Sequence, residues 1–506
     1  MTLKTLLLTA LPLAVLSLSQ NVGATPLPPD FCKKWEDMPI RQRGRVKPLY
    51  VHAVQSIKYL TGKTKSQGMG PLELYCRLSL AFPLGQTPPP LKAPIEHIKL
   101  QKLLGLEGKG PWPYPLLLEK EAQVRSARRQ EEKNPGPYGK AMDRLLGQIA
   151  LYQDILQGQN WTLPTEGNWA PIAALAQGLE RPLSSHALSE LLEKTKADYL
   201  DAHGQGHLVE LYYVKSRIHS ISMGLILLSL FLLILIRRPL PGLLFAGLSL
   251  LVQVASVVWR IMISGRAPIT NMYETVLFSG LAALTIALVI GHLRREKSYV
   301  IAGLSYNFLC SLMINFADGM LSGDISPLVP VLRDNFWLST HVTTVILSYA
   351  AFAISWILAN TALLKRRFSS MTPKEFRHQA DSIYTCLKVG VVLLAAGVIL
   401  GGIWADYSWG RFWGWDPKET WSAIALCIYL AILHGRYTHW ISDSRFVPAV
   451  AAAFMSIMMA WFGVNYILAV GLHSYGFSEG GAVFLMSIFT VQALILGVTL
   501  TRLKTD

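Results

Sequence analysis

The order of apolar and polar positions divides the chain into three parts. The first 24 residues hold a single lysine, Lys4, ahead of an unbroken apolar stretch, and small residues occupy positions 22–24. A basic start, a short apolar core and small residues before a cleavage point are typical of a secretory signal peptide. An uncleaved membrane anchor is the alternative. Under either interpretation, residues 25–215 are expected to lie outside the cytoplasm.

The second part, residues 25–215, is polar and interrupted by proline-rich segments. Between these breakers, apolar residues recur at helical spacing from Met142 to Leu156, and Ser184 precedes a second helical pattern. We therefore predict a small, mostly helical extracytoplasmic domain. It contains Cys32 and Cys76, which can form a disulfide or remain two thiols in such a compartment, and their spacing leaves both alternatives open.

The third part, residues 217–506, consists of apolar runs joined by short polar connections. Each run is long enough to cross a hydrocarbon core of about 30 Å as a helix. The pattern therefore predicts an all-α fold, a polytopic membrane helix bundle of about nine spans. The predicted spans are 217–236, 240–259, 274–292, 298–317, 341–363, 384–403, 421–436, 446–467 and 481–501.

Basic side chains lie at alternate ends of these runs and predict their orientation. If the first run enters from outside, every dense basic cluster falls on the cytoplasmic side, as the positive-inside rule requires. Four longer segments are then extracytoplasmic. They are 260–273, 317–340, 404–420 and 468–480.

Composition narrows the class of protein further. The chain is 51% hydrophobic and only 16% charged, and its mean hydropathy is +0.34, which favours a membrane protein over a soluble enzyme. The net charge is +15, but basic residues cluster at the ends of the apolar runs, and no RNP or zinc-finger pattern occurs, so we expect the lipid bilayer and no nucleic acid as partner. The five cysteines form no CxxC or CxxCH pattern, which argues against a zinc ribbon and a thioredoxin motif.

The segment 404–421 is the most unusual part of the sequence. It holds five tryptophans, a phenylalanine and a tyrosine with glycines between them. An aromatic belt at the membrane interface is one interpretation, but a belt needs only one or two rings per helix end. So many rings with room for close approach favour a platform for a large planar ligand.

Two histidines are predicted on the same side of the membrane as this platform. His341 lies where an outside segment enters the fifth span, and His473 lies in the last outside segment. Neutral imidazole is a common axial ligand of haem iron, so the pair suits a haem site. A satisfied polar residue at a membrane boundary is the alternative for each of them.

Two further positions have an open interpretation. His434 lies near the cytoplasmic end of the seventh span, where it is either an interfacial histidine or a ligand within the membrane. Arg266 lies at the mouth of the third span, where its planar guanidinium suits a haem propionate or a lipid head group equally well.

The tryptophan-rich segment resembles the WWD signature of the haem-handling proteins of cytochrome c assembly. More narrowly, residues 217–506 are similar to the CcsA/ResC subunit of the system II cytochrome c synthase. The resemblance implies haem b as bound ligand and substrate, His341 and His473 as axial ligands, and His434 as a membrane haem site. The implied platform residues are Trp409, Gly410, Trp413, Trp415, Asp416, Glu419 and Trp421.

The resemblance also implies a function and partners. It predicts a haem lyase subunit of the bacterial cytoplasmic (inner) membrane, which presents haem on the periplasmic side and promotes its attachment to the CxxCH motif of apocytochrome c. A thioredoxin-like protein would keep those thiols reduced. Fused synthases carry a second module with early spans and a second membrane histidine, and no such spans precede residue 217. We therefore expect a separate CcsB/ResB-like membrane protein, and substitution by His292 is the alternative. No catalytic residue is assigned apart from haem binding, and Asp416 and Glu419 are predicted to support the loop.

Two other functions stay open at this point. The first is a haem exporter without lyase activity, in which another protein attaches the haem. The second is a membrane b-type cytochrome, which favours histidine pairs on facing spans within the bilayer.

Overall fold

The structure is a computed structural model. The chain divides into two compact units between Val214 and Lys215. The predictions for residues 1–24 and for His473 concern positions outside the described part of the chain. That part comprises 27–28, 30–66, 68–108, 110–131, 136–179, 183–317, 320–326, 328, 334–369, 371–468 and 481–500.

The described residues of the first unit form eight α-helices before residue 208, together with three two-stranded antiparallel sheets. The helices are α1 Leu49–Thr61, α2 Pro71–Ala81, α3 Ile98–Leu104, α4 Tyr114–Glu119, α5 Glu121–Gln130, α6 Pro137–Leu156, α7 Ile172–Gln177 and α8 Ser185–His203. The sheets pair β1 Pro39–Gln42 with β2 Arg45–Pro48, β3 Lys92–Ala93 with β4 Trp112–Pro113, and β5 Thr162–Thr165 with β6 Asn168–Pro171.

Both helices predicted in this unit are confirmed. Helix α6 begins at a proline in its first turn, where a missing N–H costs nothing, and it buries Met142, Leu145 and Ile149 along one face. Helix α8 begins after Ser184, whose side-chain oxygen accepts a hydrogen bond from the N–H of Ala187 at 3.1 Å.

A disulfide joins Cys32 to Cys76, which answers the question that the sequence left open. Cys32 begins a 3₁₀ turn and Cys76 lies in α2, and their Cα atoms are 5.8 Å apart. The bridge is buried against Trp35 in the core of the unit. Closing a loop over a separation of 44 residues constrains the unfolded chain, by about 4 kcal/mol in the chain-entropy account.

His52 is a buried polar residue in the same core. Its Nε2 lies 2.6 Å from Oδ1 of Asn160, which also accepts a hydrogen bond from the Tyr75 hydroxyl at 2.9 Å. Burial lowers the pKa of His52 to about 3, and the Asn160 hydrogen bond opposes that shift only in part. The imidazole is therefore neutral in the folded unit at physiological pH.

This shift predicts a loss of stability in acid. The folded-state pKa lies below the ordinary value, so the stabilisation is complete above about pH 6.5 and is lost as the pH falls towards 3. We expect acidification from about pH 7.5 to 5 to destabilise the first unit by about 2 kcal/mol through this group. Hydrogen exchange of α1 in the full-length protein, corrected for intrinsic rates, measures it. His52→Gln should remove that pH dependence, and an unchanged dependence would contradict the assignment.

The second unit is a bundle of long helices. Helix α9, Leu208–Ser216, contains the boundary between the units. The others are α10 Ile218–Ile234, α11 Pro239–Ser264, α12 Met272–Arg294, α13 Lys297–Phe316, α14 Asn335–Phe368, α15 Pro373–Trp409, α16 Pro417–Tyr437, α17 Asp443–Leu468 and α18 Gly481–Leu500.

Within the described residues, eight helices are long and apolar enough to cross a membrane, with α9 and α10 counted as one. The protein is therefore an all-α, multi-pass membrane protein, as the sequence predicts. Helix α16, at the seventh predicted span, is not among the eight, because polar residues at both of its ends lower its mean hydropathy. The count of nine spans stays a prediction.

Small residues let the central helices approach closely. A Cβ atom on Gly390 of α15 would lie 2.6 Å from the ring of Phe352 on α14, and one on Gly397 would lie 2.7 Å from Val345. Glycine at these positions brings the end of α15 against the start of α14, as small residues do at helix interfaces in membranes. This packing places the ends of both helices around one cleft.

Candidate functional site

The tryptophan-rich segment is not the single loop 404–421 that the sequence predicts. Helix α15 continues through Trp409 and ends at Gly410, whose backbone has the left-handed φ of 67° that favours glycine. Helix α16 begins after Asp416, with Pro417 in its first turn. Within segment 404–421, only residues 410–416 are non-helical. The glycine that ends α15 and the proline that begins α16 are seven residues apart.

Asp416 and Glu419 hold this turn in place. The Asp416 carboxylate accepts a hydrogen bond from the N–H of Lys418 at 3.0 Å. Oε2 of Glu419 accepts hydrogen bonds from the N–H groups of Gly414 at 2.8 Å and Asp416 at 3.2 Å. Together they form a capping box, in which each side chain serves backbone groups that the helix leaves unpaired. Both residues support the turn.

The turn also packs back onto α15. The Phe412 ring lies over Gly402, where a Cβ atom would come within 2.5 Å of Cζ. Arg411 lies against Gly414 and forms an ion pair with Glu419 at 3.7 Å. The turn is therefore fixed by contacts on both sides, and glycine provides the space for each contact.

A cleft lies between the turn and the ends of five helices, and it has about 1250 Å³ of unoccupied space including its open mouth. The N-terminal ends of α12, α14 and α16 and the C-terminal ends of α15 and α17 form its walls. The cleft brings together four of the predicted residues, namely His341, Trp409, Trp413 and Glu419.

His341 lies in a π-helical turn, Leu338–Val342, at the start of α14. Its Nδ1 lies 2.9 Å from the carbonyl oxygen of Gly397, and its ring centroid lies 5.8 Å from that of Trp404. Because a carbonyl oxygen can only accept, Nδ1 carries a proton, and in the neutral imidazole Nε2 then keeps its lone pair. This tautomer is the one in which Nε2 can ligate a metal.

The wall opposite α15 comes from α12 and α17. Asn271, Thr275, Trp461 and Asn465 line it, and the last two lie in the π-helical segment Met459–Leu468. The Asn465 amide donates to the Trp461 carbonyl oxygen at 2.7 Å. π-Helical turns occur often at functional sites, and two of them border this cleft.

Three buried polar atoms on the cleft residues have no hydrogen-bond partner within the described part of the chain. They are Oδ1 of Asn465 and Oε1 of Glu419, which are acceptors, and Nε1 of Trp404, which is a donor. Asn465 is 1% exposed, so bulk water does not reach its side chain freely. A buried polar group without a partner needs an explanation, and a bound ligand or water supplies one.

A buried ion pair, which the sequence reading missed, fixes the segment between α11 and α12. Nη2 of Arg260 lies 2.7 Å from Oε1 of Glu274, and both side chains are 1% exposed. Oε2 of Glu274 accepts hydrogen bonds from the N–H and the hydroxyl of Thr270, and Asn271 caps α12. The pair therefore positions Thr270 and Asn271 in the cleft wall. The sequence indicated this pair only through the opposite charges of Arg260 and Glu274, which stand at the ends of consecutive apolar runs.

Arg266 lies outside the cleft lining. Its Nη2 donates to the carbonyl oxygen of Ser326 at 2.8 Å and to the Thr270 hydroxyl at 3.2 Å, so it ties two outer segments together. Trp415 is 74% exposed, and its ring stands nearly perpendicular to that of Trp413 at 6.0 Å. Gly410, Asp416 and Trp421 are not lining residues either.

His434 is far from the cleft. It lies near the C-terminal end of α16, about 24 Å along the helix from Lys418. The side chain is exposed, and its Nδ1 lies 2.9 Å from the Leu430 carbonyl oxygen. As in His341, this contact leaves Nε2 with the lone pair. The second predicted axial ligand, His473, lies outside the described residues.

Fold and cleft together define a multi-pass membrane protein with an aromatic-walled cleft at one end of its helices. Residues 244–473 match the family described as Cytochrome C assembly protein. The chain belongs to the CcsA family of cytochrome c biogenesis proteins, because it covers 83% of CcsA from Prochlorococcus marinus (strain MIT 9303) at 33% identity. Its role lies in cytochrome c assembly.

Three relatives show how the similarity is distributed. The alignment with the Prochlorococcus CcsA spans 266 residues, or 46% of this chain. CcsA from Synechococcus sp. (strain WH7803) is 31% identical over 268 residues, which cover 46% of this chain and 83% of the relative. Protein NrfI from Wolinella succinogenes is 37% identical over 226 residues, which cover 43% of this chain and 24% of that protein.

Proposed function

We propose that the cleft binds haem b as a substrate, with His341 as one axial ligand, and that the protein is the haem lyase subunit of a cytochrome c synthase. The observation that carries this proposal is the fixed His341 imidazole. Its Nδ1 is bonded to the Gly397 carbonyl oxygen within a cleft that also contains Trp404, Trp409 and Trp413. Family membership supports a haem-handling role for the same residues.

The chemistry of the lining suits a planar macrocycle. Aromatic faces provide apolar area for the ring, since aromatic groups pack favourably by stacking or edge contacts. Polar groups in the lining, such as Asn465 and Lys418, suit a ligand that carries charge at one edge. His473 would be the second axial ligand, and His434 would belong to a separate haem site in the membrane.

The proposal includes an orientation and partners. The cleft faces the periplasm of a bacterial inner membrane, because the basic loops predicted on the opposite side obey the positive-inside rule. Apocytochrome c supplies the CxxCH thiols there, and a thioredoxin-like protein keeps them reduced. A CcsB/ResB-like membrane protein completes the active synthase.

In the attachment step, each substrate thiol adds across one haem vinyl group. The S–H bond and the vinyl π bond break, a C–S bond forms at the carbon next to the macrocycle, and the terminal carbon gains the hydrogen. No group leaves and no net oxidation occurs. The protein contributes binding and orientation, since the cofactor carries the reactive groups.

The test is attachment by the full-length protein, purified in detergent with its CcsB/ResB-like partner and loaded with ferrous haem. We expect a CxxCH peptide to gain the mass of one haem and to keep it after denaturation. An otherwise identical SxxSH peptide should gain none. Haem that binds but is never attached would contradict the lyase function and favour export. No haem bound under any condition would contradict the cleft assignment itself.

A further inference from the structure

Lys418 is a cation in the lining of an otherwise largely apolar cleft. It lies in the first turn of α16, two residues after Asp416 and next to Glu419, and it lines the cleft with His341 and Trp413. The sequence did not single out Lys418, because the neighbouring tryptophans and acidic residues dominate the signature. A charged group in such a wall costs free energy unless a partner compensates it.

The carboxylates of Asp416 and Glu419, near Lys418 in the sequence, interact with groups other than its ammonium. In the described part of the chain, its ammonium group forms neither an ion pair nor a side-chain hydrogen bond. The Asp416 carboxylate accepts from the backbone N–H of Lys418, and Glu419 serves two backbone N–H groups and the ion pair with Arg411. Neither acidic neighbour neutralises the ammonium by direct contact.

Burial lowers the pKa of Lys418 to about 8, although the nearby Asp416 charge opposes the shift. The ammonium is therefore only partly solvated in the cleft wall. An anion bound beside it would gain a charge-assisted hydrogen bond in a largely apolar cleft. Arg266, the cation that the sequence suggested for this role, is not a lining residue. Its guanidinium donates hydrogen bonds to the Ser326 carbonyl oxygen and the Thr270 hydroxyl.

We propose that Lys418 binds a carboxylate of the cleft ligand, which for haem is a propionate. This inference rests on the proposed function, because it assigns a partner to one edge of the macrocycle in the same cleft. Lys418 then fixes which edge of the ring faces the start of α16, while His341 fixes the iron. Recognition of the carboxylate is separate from ligation of the metal.

The experiment compares haem with haem dimethyl ester, which has the same iron and ring but no free carboxylate. Both are titrated into the full-length protein in detergent and followed by absorption spectra. Lys418→Gln removes the charge and Lys418→Arg keeps it. Lys374→Gln is the matched control, because Lys374 is an exposed lysine in the first turn of α15.

We expect Lys418→Gln to weaken haem binding by about 10-fold or more and to change ester binding by less than about 2-fold. Lys418→Arg should retain most of the haem affinity, and Lys374→Gln should behave like the unchanged protein. Equal weakening of haem and ester by Lys418→Gln would show a structural effect and overturn the proposal.

Other outcomes separate this inference from the proposed function. If the unchanged protein binds both haem and ester but Lys418→Gln binds haem as tightly, the carboxylate assignment fails and the haem cleft stands. If the unchanged protein binds neither compound, the proposed function fails as well. If Lys418→Gln loses affinity for phosphatidylglycerol micelles and keeps that for haem, the anion is a lipid phosphate, which also overturns the proposal.

Discussion

Replacing His341 by alanine is expected to lower the affinity for haem by more than about 100-fold and to abolish its low-spin absorption spectrum. Loss of a group that merely orients a metal ligand already costs about 10–100-fold in affinity. Loss of the ligand itself should cost at least as much. Titration of the full-length variant with ferrous haem measures the affinity, and His378→Ala, at a side chain 64% exposed, is the control.

Added imidazole distinguishes a missing ligand from a damaged fold. It should enter the space left in His341→Ala and restore the low-spin spectrum. Gly401→Ala is a second test variant. Its added Cβ atom would lie 2.5 Å from Cε1 of His341 and must displace the imidazole ring. We expect this variant to bind haem weakly and to gain little from imidazole, since the native ring still occupies the space. Unchanged affinity in His341→Ala would refute the ligand assignment.

Breaking the buried Arg260–Glu274 pair should have the largest effect on stability. Arg260→Met leaves the Glu274 carboxylate buried without its charge partner, which costs roughly 3–5 kcal/mol. Glu274 also holds Thr270 in the cleft wall, so haem binding should weaken at the same time. Unfolding of the full-length protein by added sodium dodecyl sulfate measures the loss.

A double variant distinguishes the cost of an unpaired buried charge from the loss of the two side chains themselves. In Arg260→Met combined with Glu274→Gln, no buried charge remains, and we expect most of the lost stability to return. Arg238→Met is the matched control, because Arg238 is exposed at the other end of α11. A loss below about 1 kcal/mol in Arg260→Met would mean that water solvates Glu274 in the folded protein.

The sequence predicts elements where local signals and burial agree. Periodicity from Met142 to Leu156 and a serine cap at Ser184 both correspond to helices in the structure. The boundaries of segment 404–421 were wrong although their signals, Gly410 and Asp416-Pro417, were present in the sequence. The density of tryptophans suggested a loop, whereas most of those rings project from helix ends.

The cleft was predictable only in part, because its walls come from distant parts of the chain. His341, Trp409, Trp413 and Glu419 stood out by residue type. Asn465 did not, since an asparagine within an apolar run gives no sign of which face it occupies. Lys418 and Asn465 became candidates only when packing showed them lining one cleft, with a buried side-chain oxygen of Asn465 that has no hydrogen-bond partner among the described residues.

The disulfide of the first unit has a kinetic consequence. Cys32 and Cys76 are 4% and 0% exposed, so an attacking thiolate has no line of approach to either sulfur while the unit is folded. Exchange must wait for the unit to open. If the proposed thioredoxin-like reductant acts in the same compartment, this oxidised cysteine pair can persist beside it, because access and not redox potential alone decides which pair reacts.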